Sequence, residues 1–286
     1  MAVVVSTALA TFWAFWGGAE NFHEGWYHRE LWRNVALMVI QYLPWMFLPM
    51  AAALLALWRW PAGLAAHFLL AAAVFALVGV RSAGGLYLGV PIVLIGLLHA
   101  WGRPTPRWLA SRALLIIPCT AFVAAGAFGG WRALTRPATV DETTRVIAGN
   151  QVRLVWAGRG PGWGEGRSWF DARDRCAHLT ADAGGLDESP QGIWRLPTVD
   201  EAMRSMAYRG RNAGGTWDAR PERATFRVLP DKEAPLWDPF SPVVYLWTAD
   251  ESAGQRAYFV SFEGRAFTRP KRASPQYQGY RCVKPY

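Results

Sequence analysis

Before residue 132, long runs of apolar residues alternate with short segments that contain arginine. Each run is close to the ~20 residues that an α-helix needs to cross the hydrocarbon core of a bilayer. We therefore predict a transmembrane domain over residues 1–136, with about five spans and the lipid bilayer as partner. The predicted spans are Ala2–Gly18, Asn34–Trp58, Pro61–Val80, Gly84–Trp101 and Ala113–Trp131.

The first of these spans has a rival interpretation as a secretory signal peptide. A signal peptide carries positive charge ahead of its apolar run, and no basic residue precedes residue 18. We therefore predict an uncleaved helix.

The arginines indicate the orientation of the spans. The loop Gly102–Arg112 contains Arg103 and Arg107 as well as Arg112, and no acid, which predicts that it lies in the cytoplasm. With five spans, the N-terminus is then inside, and everything after Trp131 lies outside the cytoplasmic (inner) membrane, in the periplasm.

After residue 136 the pattern changes to short apolar segments between glycine, proline and polar residues. We predict a polar linker over residues 137–149 and a folded domain over residues 150–286. Helices are predicted to begin at Ser168 and Thr198, because an acid follows each of them three residues later, as in a capping box. Short strands are predicted at Val152–Trp156, Val243–Thr248, Ala257–Phe262 and Gly279–Val283. The predicted fold class is a multi-helix transmembrane bundle followed by a small α+β domain.

Composition separates the two halves further. Residues 1–136 contain nine Arg, no Lys and three acids, whereas residues 137–286 contain 21 basic and 18 acidic residues. The whole chain is 52% hydrophobic, with a net charge of +9 over 286 residues. These values exclude an intrinsically disordered chain, and the mixed charges of the second half are typical of a soluble domain.

The cysteines indicate the compartment in which the second half of the chain lies. Cys119 lies in a predicted span, whereas Cys176 and Cys282 lie in the second half. An oxidising compartment would allow the last two to form a disulfide that closes a loop of about a hundred residues. The alternative is two unpaired buried thiols. The predicted disulfide agrees with the orientation indicated by the arginines.

Three blocks of sequence carry a resemblance to a known family. They are Ser168-Trp-Phe-Asp-Ala-Arg-Asp-Arg-Cys-Ala-His-Leu179, Trp194-Arg-Leu-Pro-Thr-Val-Asp-Glu201 and Gly279-Tyr-Arg-Cys-Val283. In this order they resemble the formylglycine-generating enzyme (sulfatase-modifying factor) family, and they are equally similar to the C-terminal domains of collagen-like bacterial adhesins. The resemblance covers residues 150–284 and implies a C-type-lectin-like fold, which hosts catalysts, binders and structural modules alike.

The family's oxidase chemistry does not carry over to this chain. Those enzymes bind copper through two cysteines near the C-terminus, of which Cys282 matches one while Tyr277 occupies the other position. One thiolate cannot form the two-sulfur site that copper(I) favours. We therefore expect no formylglycine-generating activity, and we favour a non-catalytic domain that needs no cofactor. The Glu-Pro-Asn and Gln-Pro-Asp motifs of calcium-dependent sugar binding are absent as well.

Side chains that can ligate a metal lie between the first two spans. They are Glu20, His23, Glu24 and His28, at spacings that place several on one helical face. One hypothesis is a transition-metal or proton-relay site at the outer membrane surface. The alternative is an interfacial turn in which these groups meet water among aromatic residues.

Two further histidines, His67 and His99, lie within predicted spans, toward their cytoplasmic ends. An ionisable group inside a span is a functional hypothesis by default, and these two could face one another, for instance as ligands of a haem. The alternative is a neutral, hydrogen-bonded histidine near the interface.

The C-terminal segment is basic with interleaved aromatic residues. Its candidate ligand-binding residues are Arg265, Arg269, Lys271, Arg272, Tyr277 and Tyr280. Such a surface is suited to an anionic polysaccharide, whereas a nucleic acid is not an expected partner outside the cell. The alternative is an ordinary solvated charged face.

The resulting prediction is a membrane-anchored binding protein that displays a non-catalytic domain outside the membrane, with an envelope polysaccharide or protein as ligand. The alternative is a membrane enzyme, or a metal- or proton-handling protein, with its site in residues 20–28. Five spans exceed what anchoring requires, which keeps this alternative open.

Overall fold

The structure is a computed structural model of the chain, and it describes residues 1–23, 28, 30–102, 106–140 and 142–286. The chain divides into two compact units, Met1–Leu134 and Thr135–Tyr286. The first unit is helical, and the second is rich in strands.

Apolar helices make up the first unit. They are α1 (Ala2–His23), α2 (Leu31–Gln41), α3 (Pro44–Trp58), α4 (Trp60–Val78), α5 (Ala83–Trp101) and α6 (Arg107–Thr135). Within the described residues, four helices (α1, α4, α5 and α6) are long and apolar enough to cross a membrane, and α2 with α3 makes a fifth span if this bent pair is counted as one. Large apolar side chains such as Leu69, Leu77 and Phe128 are exposed, as expected for a surface in contact with lipid. The predicted helical bundle is thus confirmed at the level of four to five candidate spans.

The second predicted span, Asn34–Trp58, is not one continuous helix. Helices α2 and α3 are bent by 50° at their junction, where the N–H of Leu43 donates to the carbonyl of Met38 over 3.1 Å. Pro44 explains the break, because proline has no N–H and its ring collides with the carbonyl four residues earlier in a continuous helix. The predicted span Asn34–Trp58 thus corresponds to a bent pair of helices.

Two helices extend beyond the spans predicted for them. Helix α1 continues past Gly18 to His23, and α6 runs from Arg107 to Thr135. Hydropathy detects the part of a helix that suits the hydrocarbon core, and polar residues can continue the same helix on either side of it. As a result, Glu20 and His23 lie on the last turns of α1.

Glycines allow the helices of the first unit to approach closely. A Cβ on Gly63 of α4 would lie 2.3 Å from the Cα of Ala56 in α3, and a Cβ on Gly96 of α5 would lie 2.8 Å from the Cβ of His67 in α4. Because lipid provides no hydrophobic driving force between helices, such close van der Waals packing is a main source of their association.

The second unit is an α+β domain. Its helices are α7 (Trp169–His178) and α8 (Val199–Ser205), and its strands are β1 (Arg145–Gly149), β2 (Val152–Trp156), β3 (Trp163–Glu165), β4 (Ala207–Tyr208), β5 (Arg211–Asn212), β6 (Thr216–Asp218), β7 (Arg223–Thr225), β8 (Tyr245–Ser252), β9 (Arg256–Ser261), β10 (Ala266–Pro270), β11 (Gln278–Arg281) and β12 (Val283–Pro285). The larger sheet has the order β10-β9-β8-β11-β3, in which only β8 and β11 are parallel. A second sheet has the order β1-β2-β12, and β4 pairs with β5 and β6 with β7.

Both helices of this unit begin where the sequence predicts. Ser168 Oγ accepts a hydrogen bond from the N–H of Asp171 over 3.2 Å, and the Asp171 carboxylate accepts one from the N–H of Ser168 over 3.3 Å. Thr198 and Glu201 make the same reciprocal pair, over 3.1 and 2.8 Å. Each capping box satisfies N–H groups that the first turn of a helix leaves without a partner.

Part of the predicted linker is a strand. Residues Arg145–Gly149 form β1 and pair with β2 through a tight turn at Asn150 and Gln151, whose φ angles are 49° and 65°. Positive φ at both central residues is the conformation of a type I′ hairpin turn, which asparagine adopts more readily than most residues. The residues of this strand, Arg-Val-Ile-Ala-Gly, are largely apolar, although three of the five are exposed.

The larger sheet carries a hydrophobic core on each face. Leu246 and Val260 pack in the core that includes α8, whereas Trp247 and Phe259 pack in the core that includes α7. This division follows from the alternation of side chains along a strand.

A disulfide joins Cys176 of α7 to Cys282, which lies between β11 and β12, with the two Cα atoms 5.5 Å apart. This confirms the predicted pairing. The disulfide closes a separation of 106 residues, and the chain-entropy model gives such a loop about 4–5 kcal/mol of stabilisation.

Candidate functional site

An aromatic surface with an arginine at its centre lies at the edge of the larger sheet. Tyr245 of β8, Phe267 and Arg269 of β10, and Tyr277 just before β11 form it, and we call these four residues the aromatic–arginine surface. The register pairs Phe267 with Phe259 of β9, so that the two rings stack with centroids 5.6 Å apart. The rings of Tyr245 and Tyr277 meet edge to face at 5.7 Å.

The guanidinium of Arg269 is held against these rings. It lies 4.9 Å from the ring centre of Phe259, 5.3 Å from that of Tyr277 and 5.8 Å from that of Tyr245. Its Nη1 donates a hydrogen bond to Oε1 of Gln278 over 3.1 Å. Cation–π contacts and this hydrogen bond fix the charge in one place without neutralising it.

Two rings of the aromatic–arginine surface remain accessible. Phe267 is 43% exposed and Tyr277 is 44% exposed, while Phe259 beneath them is buried. The exposed carbon faces of Phe267 and Tyr277 therefore flank a half-buried cation, which is an arrangement for a ligand that offers both apolar C–H groups and negative charge.

The other predicted ligand-binding residues divide between surface and interior. Arg265 and Arg272 are exposed, one at each end of β10. Lys271 is buried: its ammonium pairs with Glu251 and lies 4.6 Å from the ring centre of Trp169.

Tyr280 belongs entirely to the interior of the domain. Its hydroxyl donates to the carbonyl of Pro161 over 3.0 Å and accepts from Nε of Arg175 over 2.8 Å. Burial raises the pKa of this phenol, so it stays neutral at physiological pH. Lys271 and Tyr280 thus have structural partners. Arg269 and Tyr277 belong to the aromatic–arginine surface, and Arg265 and Arg272 are exposed on either side of β10 along the chain.

The partners of Arg269 on neighbouring strands were missing from the sequence prediction. Tyr245 and Phe259 were assigned only to predicted strands or the core. The spacing of two residues between Phe267 and Arg269 indicates one shared face of β10, but the neighbours of that face depend on strand order and register, which the sequence pattern does not give.

The structure brings together part of the predicted metal-ligating segment. Glu20 and His23 line a cavity of about 180 Å³ with Phe22, Phe128 and Arg132, among other residues. The backbone N–H of His28 donates to Oδ1 of Asn34 over 3.2 Å. Glu24 lies outside the described residues. Among the residues that the structure describes, no group of three or more His, Cys, Asp or Glu side chains is arranged to hold a metal ion.

The copper site of the formylglycine-generating enzymes does not fit the residues of this chain. Cys282 is bonded to Cys176 and offers no thiolate, and the position at which the resemblance would require the second cysteine holds Tyr277. The phenol of Tyr277 belongs instead to the aromatic–arginine surface.

Comparison with family models, with curated proteins and with solved structures finds no match to this chain.

Proposed function

We propose that this protein is a membrane-anchored receptor for an anionic polysaccharide of the cell envelope, and that the aromatic–arginine surface binds it. The observation that carries the proposal is the Arg269 guanidinium, held among three aromatic rings with two exposed rings beside it. Sugar rings present C–H faces that pack on aromatic rings, and a guanidinium pairs with a carboxylate or sulfate through two hydrogen bonds.

The charge along β10 supports a polymeric ligand rather than a single small anion. Arg265 and Arg272 are exposed at the two ends of the strand, with Arg269 between them. A chain of charged sugars that follows the strand direction meets several cations in turn, and each contact adds to the same binding event.

The predicted context agrees with this function. The arginines of the membrane half predict that the second unit lies outside the cytoplasmic membrane, where envelope polysaccharides are found. We further propose that the second unit has a C-type-lectin-like fold. This assignment is supported by the quoted sequence blocks, because they contain the starts of α7 and α8 and the disulfide-bonded Cys282 between β11 and β12.

The test uses full-length protein in lipid nanodiscs and polygalacturonate as a uniformly carboxylated probe, with neutral dextran as the comparison ligand. We expect binding to polygalacturonate only. Arg269→Gln is expected to weaken it roughly 10–100-fold, because a hydrogen bond between charged groups contributes about 1.5–3 kcal/mol. Phe267→Ala should weaken it as well, since it removes a stacking face.

The matched control is Arg220→Gln, which removes one exposed arginine from the loop between β6 and β7. If this variant and Arg269→Gln weaken binding equally, the polysaccharide responds to net charge alone and the proposed site is wrong. If the wild-type protein binds neither polymer but retains an envelope protein through Arg269, the ligand class is wrong while the surface is right.

A further inference from the structure

Two histidines inside the helical unit are buried against one another. His67 of α4 and His99 of α5 are 0% and 2% exposed. Their ring centres lie 5.9 Å apart, with the ring planes at 30°. Gly96 permits this approach, since a Cβ at that position would collide with the Cβ of His67.

The hydrogen bonds of His67 define which of its nitrogens carries the proton. Nδ1 lies 2.7 Å from the carbonyl oxygen of Gly63. A carbonyl oxygen can only accept, so Nδ1 carries the hydrogen. In the neutral ring, Nε2 therefore carries the lone pair.

The hydrogen bonds of His99 lead to the same result at its other nitrogen. Ser6 Oγ donates its single hydrogen to the carbonyl of Ala2 over 2.9 Å. The same oxygen lies 2.9 Å from Nε2 of His99. With the Ser6 hydrogen on the Ala2 carbonyl, this oxygen accepts from Nε2, which then carries the hydrogen and leaves the lone pair on Nδ1.

Both lone-pair nitrogens are buried without a partner. Within the described residues, neither His67 Nε2 nor His99 Nδ1 has a hydrogen-bond partner. A buried acceptor without a partner destabilises the fold, because it has lost its hydrogen bond to water. The arrangement is also that of metal-ligating histidines, whose second nitrogen donates to a carbonyl or hydroxyl oxygen that fixes the ring.

The surrounding charges restrict which ion these nitrogens can hold. Neither α4 nor α5 contains an acidic residue, and the first acid of α1, Glu20, lies far along the helix from Ser6. A divalent ion bound by two neutral imidazoles would keep both charges in an apolar interior, which is costly. A monovalent ion that accepts two nitrogen ligands buries half of that charge.

We propose that His67 and His99 form a two-coordinate binding site for copper(I) between α4 and α5. Copper is well suited to imidazole ligands. A bond of about 2 Å from each nitrogen to the metal places the metal between rings whose centres are a few ångströms apart, as they are here. Ser6 and Gly63 act as positioning residues that hold the two rings in the ligating tautomers.

The test is a copper(I) titration of full-length protein in detergent, under anaerobic conditions with ascorbate and a chromophoric copper(I) chelator as competitor. All variants carry Cys119→Ser, because this exposed thiol would bind copper(I) itself. We expect one bound equivalent, and its loss in His67→Leu and in His99→Leu. His178→Leu is the matched control, since it removes a histidine outside the pair, and it should bind as the parent does.

A second variant separates loss of the site from loss of the fold. Ser6→Ala keeps both histidines and removes only the acceptor that orients His99, so the affinity should fall roughly 10–100-fold, as for other second-shell partners of metal ligands. Absence of copper(I) binding in the parent, or binding unchanged in both His67→Leu and His99→Leu, would overturn the proposal. Equal binding of zinc(II) would overturn the assignment to a monovalent ion.

Discussion

Glu201 has two roles in the strand-rich unit, because it caps α8 and also binds Arg195. Its two carboxylate oxygens accept from Nη1 and Nη2 of Arg195 over 2.7 and 2.6 Å, and Oε2 also accepts from the N–H of Thr198. Burial raises the pKa of Glu201, but the hydrogen bonds from Arg195 and Thr198 outweigh burial and hold the pKa below its usual range. The ionised form is therefore the one that stabilises the fold.

Glu201→Gln is expected to lower the free energy of unfolding by about 1 kcal/mol at pH 7, a value that allows for the partial exposure of Arg195. Because the pKa of Glu201 is lower in the folded state, its contribution is present above the ordinary pKa of a glutamate and is lost as the pH falls through the folded pKa. The difference in melting temperature between wild type and variant should therefore stay constant from pH 7 to about 4.5 and shrink as the pH falls further, measured on full-length protein in detergent.

The control for this measurement is Glu188→Gln, at an exposed carboxylate. Its melting temperature should follow that of the wild type at every pH. A constant difference between wild type and Glu201→Gln down to pH 3 would show that the ionised carboxylate has no special role.

At the scale of elements, the sequence identifies starts of helices better than their interruptions. The capping boxes at Ser168 and Thr198 are local patterns, since the groups that bind each other are three residues apart. The break at Pro44 is also local, but a proline inside a span is often tolerated, as Pro49 is within α3. Pro44 begins α3 whereas Pro49 lies inside it, so the presence of a proline does not by itself locate the break.

The hairpin of α3 and α4 depends on the absence of a side chain at Gly63. We expect Gly63→Ala to destabilise the helical unit by about 1–3 kcal/mol, the usual cost of forcing an extra methyl into a packed interior, because the new Cβ would meet the backbone of Ala56. The measurement is thermal aggregation of full-length protein in detergent.

Gly130→Ala serves as the matched substitution, because the nearest atoms to a Cβ there belong to the Phe22 ring, at 3.6 Å or more. Alanine favours a helix over glycine by about 1 kcal/mol, so this variant should be as stable as the wild type or more so. Similar losses in both variants would rule out close packing at Gly63 as the cause.

At the scale of the whole molecule, the two units are stabilised in different ways. The helical unit relies on close contacts between apolar helices, whereas the strand-rich unit joins its first helix to its C-terminal strands through the Cys176–Cys282 disulfide. A disulfide persists in an oxidising compartment. This agrees with the orientation that the arginines predict.

Replacing both Cys176 and Cys282 by Ser is expected to destabilise the strand-rich unit by about 2–5 kcal/mol, because the unfolded chain regains the entropy that the cross-link removes. Chemical denaturation followed by near-ultraviolet circular dichroism measures this change. Cys119→Ser, at an exposed thiol outside the disulfide, should leave the transition unchanged. An unaltered midpoint in the double variant would contradict the stabilising role of the disulfide.

The orientation leads to a further prediction. An epitope tag placed after Tyr286 should be digested by protease added to intact spheroplasts, because the C-terminal unit is predicted to lie outside the cytoplasmic membrane. A tag at the N-terminus should be protected until the membrane is broken. The reverse pattern would show that the arginine-rich loop near residue 107 does not set the orientation.

The sequence by itself determined the features that depend on neighbours along the chain. Apolar runs identified the helical half, and reciprocal side-chain caps identified the starts of α7 and α8. The tertiary structure alone decided which candidate residues are accessible and which are internal. It surrounds Arg269 with rings from other strands, gives Lys271 and Tyr280 buried partners, and brings His67 and His99 together. These outcomes depend on strand register and helix packing, in which residues distant in the chain become neighbours.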